Sequence, residues 1–146
     1  MNTDFTSEEK ILIKRDKVLS NVIKTNGPIK FSKSKKDPFD TFVDIIISQF
    51  ISTLAAKSIK EKMLENFNEK KFKVENFEKL SVTQIKNLGL SLNKAKSIKA
   101  VISWLEMQSM KNFFNLTQVE RVKSLLKIFG IGPWSCLLYT SPSPRD

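Results

Sequence analysis

The sequence predicts an all-α fold, and three observations support this prediction. Apolar residues recur every three or four positions along most of the 146-residue chain, which is the spacing of one face of a helix. Capping boxes, the Ser/Thr-x-x-Glu/Gln pattern that begins helices, start at Thr6, Ser81 and Thr117. No two-residue turn lies between segments of alternating polarity, so a β-sheet is not expected.

The first predicted helix begins at the Thr6 capping box and ends where Gly27 and Pro28 interrupt the helical pattern. Apolar residues between these points recur at helical spacing, so one continuous helix is predicted. The polar, basic residues 30–36 that follow are predicted to be a connector.

The second predicted helix begins at Asp37, with Pro38 in its first turn. The β-branched residues within 43–47 favour a strand. The start of the segment nevertheless favours a helix, because no turn bounds a short strand here. Asp37, Asp40 and Asp44 cluster near this start, and we interpret them as capping residues rather than as catalytic acids.

The remaining helices are predicted from the same apolar spacing. One contains the apolar residues 55, 59, 63 and 67, and the polar residues 66–76 after it are predicted to be a loop. A short helix runs from Ser81 to Gly89, and a longer one presents a core face over residues 92–105 that includes Trp104. The third capping box begins a helix whose apolar face extends to Phe129.

The most informative segment is Leu125–Trp134, where a helical run breaks at Gly-Ile-Gly and resumes at Pro133. Glycine allows a tight turn because it has no Cβ, and proline is favoured in the first turn of a helix. The pattern predicts two helices joined by a hairpin. The N–H groups at the start of the second helix are unpaired and can bind an anion.

The charge balance indicates the class of partner. Lys plus Arg number 25 against 15 Asp plus Glu, a net charge of +10, which favours a polyanion such as DNA. An AT-rich genome that encodes lysine freely is the alternative explanation for the lysines. It does not account for their excess over acids.

The composition also excludes several chemistries. The chain has no histidine, which excludes imidazole bases, Ser-His or Cys-His nucleophile pairs and His-ligated zinc. The single cysteine, Cys136, cannot alone hold a disulfide or an iron–sulfur cluster. No segment is long enough to span a membrane and no signal peptide is recognised, so a cytoplasmic, nucleoid-associated protein is expected.

The order of the segments resembles the helix-hairpin-helix (HhH-GPD) DNA glycosylases, and among them the short bacterial 3-methyladenine DNA glycosylases of type II. The resembling segments are 16–28, 37–39, 48–52 with 55–59, 89–95 and 130–134. The resemblance implies a monomeric base-excision repair enzyme that binds double-stranded DNA. It would hydrolyse the N-glycosidic bond of an alkylated purine after the base is flipped out of the duplex.

The resemblance also implies the residues that contact DNA. The hairpin would bind phosphates through backbone N–H groups, assisted by a monovalent cation on its carbonyls; no other cofactor or metal is expected. Gln49 and Phe50 lie where relatives insert a side chain into the duplex, and a core position is the alternative for Phe50. The implied DNA-binding residues are Phe129, Gly130, Ile131, Gly132, Gln49 and Phe50.

Trp134 stands where bifunctional relatives carry a catalytic lysine. Tryptophan cannot form a Schiff base, so a monofunctional hydrolase is expected. Its ring would line the base pocket and stack on a cationic alkylpurine. A core position is the alternative for this residue as well.

The resemblance places the catalytic aspartate beyond Asp146, so no catalytic residue is assigned and the chain is expected to be inactive. Residues 136–146 resemble a translated sequencing adapter and are interpreted as an artefactual tail. Because Pro142 and Pro144 interrupt helices, this tail is not expected to continue the helix begun at Pro133. The glycosylase domain is thus predicted to span residues 1–135 and to be incomplete at its C-terminus.

Two other functions are also compatible with this sequence. The chain could be a non-catalytic helix-hairpin-helix module that binds duplex DNA, or an all-α scaffold that binds protein. Salt-dependent DNA affinity separates the first from the second.

Overall fold

The structure is a computed structural model that describes residues 5–29 and 37–140. Over these residues the chain forms α-helices and no strand, which confirms the predicted all-α fold. Its contacts define two compact units, Met1–Ser34 and Lys35–Asp146. The first unit contains α1 (Ser7–Arg15) and α2 (Lys17–Asn26). The second contains α3 (Pro38–Ser48), α4 (Thr53–Phe67), α5 (Val74–Glu78), α6 (Val82–Lys86), α7 (Leu92–Met107), α8 (Met110–Asn115), α9 (Gln118–Leu125) and α10 (Pro133–Thr140).

The first unit contains two helices where the sequence predicted one. The Thr6 capping box forms as expected, but Asp16 has an extended backbone (φ −134°, ψ 117°). Its Oδ1 accepts hydrogen bonds from the N–H groups of Val18 (2.8 Å) and Leu19 (3.0 Å). The prediction of a continuous helix was wrong because an aspartate at this position caps a new helix instead of extending the old one.

The second unit is organised around α3, which contacts α4, α7 and α10. Asp37 caps this helix by accepting a hydrogen bond from the Phe39 N–H (2.9 Å). Val43, Ile46 and Ile47 are buried in the core. The predicted helix is therefore confirmed, since burial of this apolar face outweighs the weak strand preference of β-branched residues.

Aromatic rings fill much of this core. Trp104 is buried, as predicted, and packs edge-on against Phe42 and Phe113 with centroid distances of 5.8 and 5.1 Å. Its Nε1–H donates to Ser124 Oγ (3.2 Å). The indole thus joins α7 to α9 with its one polar atom satisfied.

The three acids of α3 and its cap have different roles. Only Asp37 is a cap. The buried Asp40 carboxylate accepts a hydrogen bond from the Phe72 N–H (2.9 Å), and Asp44 pairs with Lys60 Nζ (2.5 Å). The capping interpretation was therefore wrong for Asp40 and Asp44, which bind groups distant in sequence, but all three acids have structural partners.

Two further differences concern helix boundaries. The predicted loop over 66–76 ends early because α5 begins at Val74, and α8 was not predicted. The helix begun at Pro133 continues to Thr140, so the prediction that residues after 135 leave it was wrong. A proline disturbs its own position and the residue before it, which leaves residues 136–140 free to remain helical. The predicted connector 30–36 lies outside the described residues.

None of the described helices is both long enough and apolar enough to cross a lipid bilayer.

Candidate nucleic-acid interface

The hairpin between α9 and α10 requires glycine at one position. Gly130 has a φ of +78°, and a Cβ on it would lie 1.9 Å from Ser97 Oγ and 3.0 Å from Ser97 Cβ. Ser97 is buried in α7, where its hydroxyl donates to the Asn93 carbonyl (2.9 Å). Gly132 lacks positive φ and has open space around it. The tight turn therefore depends on Gly130 alone.

The hairpin presents backbone donors while its apolar side chains anchor it. The Ile131 N–H donates to the Ile128 carbonyl (3.1 Å), and both side chains are buried. The hydrogen bonds of the described residues do not use the N–H groups of Gly130, Gly132 or Trp134. Unpaired N–H groups at a hairpin followed by a helix N-terminus suit a phosphate oxygen.

Gln49 connects the end of α3 to this hairpin. Its Nε2 group donates to the Gly130 carbonyl (3.1 Å) and to Ser135 Oγ (2.9 Å) in the first turn of α10. Both donors of the amide are thus directed at the hairpin and the helix that follows it.

Phe50 is fully exposed and has a strained backbone. Its relative exposure is 103% and its φ is +58°, so the core alternative is wrong. A left-handed backbone costs a residue with a side chain about 1–2 kcal/mol, and an exposed ring recovers none of this by burial. Strain of this kind that burial does not offset is characteristic of functional positions.

Two neighbouring interactions hold the chain on either side of Phe50. The Lys94 ammonium donates to the Ile47 carbonyl at the end of α3 (2.7 Å), and burial lowers the pKa of this lysine. On the other side, Ser52 caps α4 by accepting a hydrogen bond from the Ala55 N–H (3.2 Å). Phe50 therefore projects from a corner whose two ends are fixed.

A cavity of about 680 Å³ lies between this corner and the hairpin. Its size falls within the range of small-molecule sites. Trp134 is 71% exposed and lines the cavity, so the core alternative is wrong for this residue too. The cavity is lined by Ile45, Ser48, Gln49, Phe50, Gly130, Ile131, Gly132, Pro133, Trp134 and Ser135.

The cavity lining sets what the site can do chemically. The described lining side chains are apolar or aromatic or carry a hydroxyl or an amide, and none of these ionises near neutral pH. This described surface can enclose a flat aromatic group but supplies no acid, base or amine. The adjacent Cys136 is no substitute, because burial raises the pKa of its thiol and keeps it protonated.

The hairpin carbonyls are candidate ligands for a cation. The carbonyls of Ile128, Gly130 and Gly132 each accept one N–H group already. A carbonyl oxygen has a second lone pair, and oxygen is the ligand that hard cations prefer. These residues are therefore compatible with a monovalent cation. Over the described residues no cluster of three His, Cys, Asp or Glu side chains could hold a metal ion.

The sequence did not reveal the two side chains that brace this interface. Ser135 and Lys94 meet partners 86 and 47 positions away along the chain. A serine and a lysine of this kind are common on helices. Lys94 lies in the resembling segment 89–95, but the sequence assigned it no role. Their roles depend on the tertiary arrangement.

The chain has the fold of two 3-methyladenine DNA glycosylases whose structures are known. No family model and no curated protein sequence matches it. Among solved structures it is similar to a DNA-3-methyladenine glycosidase from Bacillus halodurans (TM-score 0.77, 23% identity), covering 98% of this chain and 66% of that one. It is also similar to the 3-methyladenine DNA glycosylase Mag1 of Schizosaccharomyces pombe in complex with abasic DNA (TM-score 0.74, 22% identity), covering 91% of this chain and 68% of that one. The chain thus spans about two thirds of the length of each.

Proposed function

We propose that this interface binds duplex DNA at a nucleotide that has left the base stack, as part of the repair of alkylated purines of the 3-methyladenine type. The observation that carries the proposal is the placement of two exposed aromatic side chains on one cavity. Phe50 and Trp134 both line it, and the hairpin that contains Gly130 forms its edge. An all-α scaffold that binds protein would need neither this cavity nor a turn with unpaired N–H groups.

Each part of the interface has a distinct task in this proposal. The N–H groups of Gly130 and Gly132 bind a phosphate, and a monovalent cation on the hairpin carbonyls adds positive charge there. Phe50 fills the gap that the flipped nucleotide leaves, since an aromatic ring can replace a base in the stack. Trp134 stacks on the extrahelical base, which is favoured when alkylation has made that base cationic.

The described lining does not contain all the groups that hydrolysis of a glycosidic bond requires. Glycosidic hydrolysis needs a carboxylate to stabilise the developing charge on the sugar and to direct water. Among the described residues, the cavity lining contains neither a carboxylate nor an amine for Schiff-base chemistry. We therefore propose monofunctional hydrolysis for the intact site and lesion binding without base release for the 146-residue chain.

The structural relatives support this proposal over a general duplex-binding module. One of them was solved with abasic DNA, which is the product of base excision. A non-catalytic module would need the hairpin but not the exposed, strained Phe50. The described geometry thus favours recognition of a damaged site.

The test is equilibrium binding to an undamaged duplex and to a matched duplex with a stable abasic analogue. We expect one chain per duplex and roughly tenfold tighter binding to the abasic duplex, since one stacked base contributes about 1–3 kcal/mol. Both affinities should fall steeply with salt because phosphate contacts release counterions. A parallel assay on alkylated DNA should detect no released base.

Equal affinity for the two duplexes would contradict recognition of a damaged site and would favour the non-catalytic duplex-binding module. Affinity that is absent at low salt would contradict DNA recognition altogether. Release of base by the 146-residue chain would contradict the proposal that it binds a lesion without excising the base.

A further inference from the structure

We infer that Gln49 is a positioning residue that fixes the strained Phe50 relative to the hairpin, and that it does not read DNA itself. This inference rests on the proposed function, in which Phe50 and the hairpin act on the same duplex. It assigns to Gln49 a role that neither its sequence context nor its exposure indicates.

The two N–H donors of the Gln49 side chain both have partners within the protein. An amide group has two N–H donors, and Gln49 directs one to the Gly130 carbonyl and the other to Ser135 Oγ. Any donation to a base edge would require breaking one of these bonds. Both donors of the side chain are thus already used on the protein side of the interface.

The strained backbone of Phe50 lies next to Gln49 in the chain. Gln49 directly precedes Phe50, whose φ of +58° is unfavourable for a phenylalanine. A strained residue persists only where its surroundings determine its conformation. The Gln49 amide holds one side of this corner against the hairpin, and Lys94 Nζ holds the end of α3 at the Ile47 carbonyl.

The hairpin itself does not depend on Gln49 for its place. Ile128 and Ile131 anchor it in the core with exposures of 4% and 5%. Loss of the amide should therefore leave the phosphate-binding N–H groups largely in place while releasing the Phe50 corner. Phosphate binding and lesion preference become separable in a variant that lacks the amide.

The experiment measures the preference for the abasic duplex over the undamaged duplex in Gln49→Met, which keeps the side-chain length and removes both donors. We expect this preference to fall by up to about tenfold, the contribution expected of the Phe50 ring when it stacks, with undamaged-duplex affinity changed less than about threefold. Gln118→Met, the same change at an exposed position outside the cavity, should alter neither.

A double-mutant cycle with Phe50→Ala separates positioning from direct reading. If Gln49 acts through Phe50, Gln49→Met should cause no further loss of preference in the Phe50→Ala background. Additive losses would mean that Gln49 contacts DNA by itself and would overturn the inference. If Gln49→Met does not fold, Ser135→Ala removes one acceptor of the same amide and should cause a smaller loss of the same kind.

The outcome also distinguishes this inference from the proposed function. A wild-type chain with no preference for the abasic duplex contradicts the proposed function. A wild-type preference that Gln49→Met retains contradicts only the role of Gln49.

Discussion

Gly130→Ala is expected to destabilise the protein by about 2–4 kcal/mol, from left-handed backbone strain and overpacking together. The new Cβ would overlap the buried Ser97 side chain at a position with φ +78°. Binding to undamaged and abasic duplexes should weaken alike, because the turn that presents the N–H groups proposed to bind phosphate is displaced. Chemical denaturation and binding measurements on the same variant check both effects, and the bulkier Gly130→Val should show larger ones.

Gly132→Ala is the matched control for this prediction. A Cβ at Gly132 would meet no atom within 4 Å, and the residue has no positive φ. The same substitution two residues away should therefore change stability by less than about 0.5 kcal/mol. Equal effects at the two glycines would contradict the structural account of the hairpin. Unchanged DNA affinity in Gly130→Ala would show that the hairpin does not bind the phosphates.

Phe50→Gly is expected to separate stability from recognition. Glycine adopts a φ of +58° without the side-chain penalty, so stability should be unchanged or raised by up to about 1 kcal/mol. The preference for the abasic duplex should nevertheless fall about tenfold, since the ring that we propose replaces the missing base is lost. Thermal unfolding and paired binding titrations measure the two effects independently.

Leu54→Ala provides the comparison for Phe50→Gly. Like Phe50, Leu54 is an exposed apolar residue, with a relative exposure of 81%, but it lies outside the cavity lining. Its truncation should leave the preference for the abasic duplex intact. If Phe50→Gly instead weakens binding to both duplexes equally, Phe50 is a general contact and not a residue that fills the stack.

The parts of the fold that follow local rules could be predicted from the sequence. Capping boxes at Thr6, Ser81 and Thr117 all form, because each joins groups three residues apart. The break at Asp16 was missed because the sequence does not distinguish an aspartate that caps a new helix from one that lies within a continuous helix. The end of α10 was misjudged because a proline affects a helix over only a short range.

The candidate site was predictable in composition but not in arrangement. The Gly-Ile-Gly-Pro-Trp segment identifies the hairpin, and the resemblance pointed to Phe50 and Trp134. Their exposure could not be read from the sequence, since an isolated aromatic residue fits a core equally well. The amide bridge from Gln49 to Gly130 spans 81 positions, a contact that only the packing of α3 against α10 creates.

The most direct test of the proposed function is whether an extrahelical base enters the cavity beside Trp134. The chain contains two tryptophans, of which Trp104 is buried and Trp134 is 71% exposed. Quenching of tryptophan fluorescence by acrylamide therefore reports mainly on Trp134, and Trp134→Phe gives the Trp104 background. With a duplex that carries a non-hydrolysable 3-methyladenine analogue, we expect Trp134 to become shielded, whereas an undamaged duplex at saturation should leave it accessible. Equal accessibility of Trp134 in the two complexes would mean that the extrahelical base does not enter the cavity.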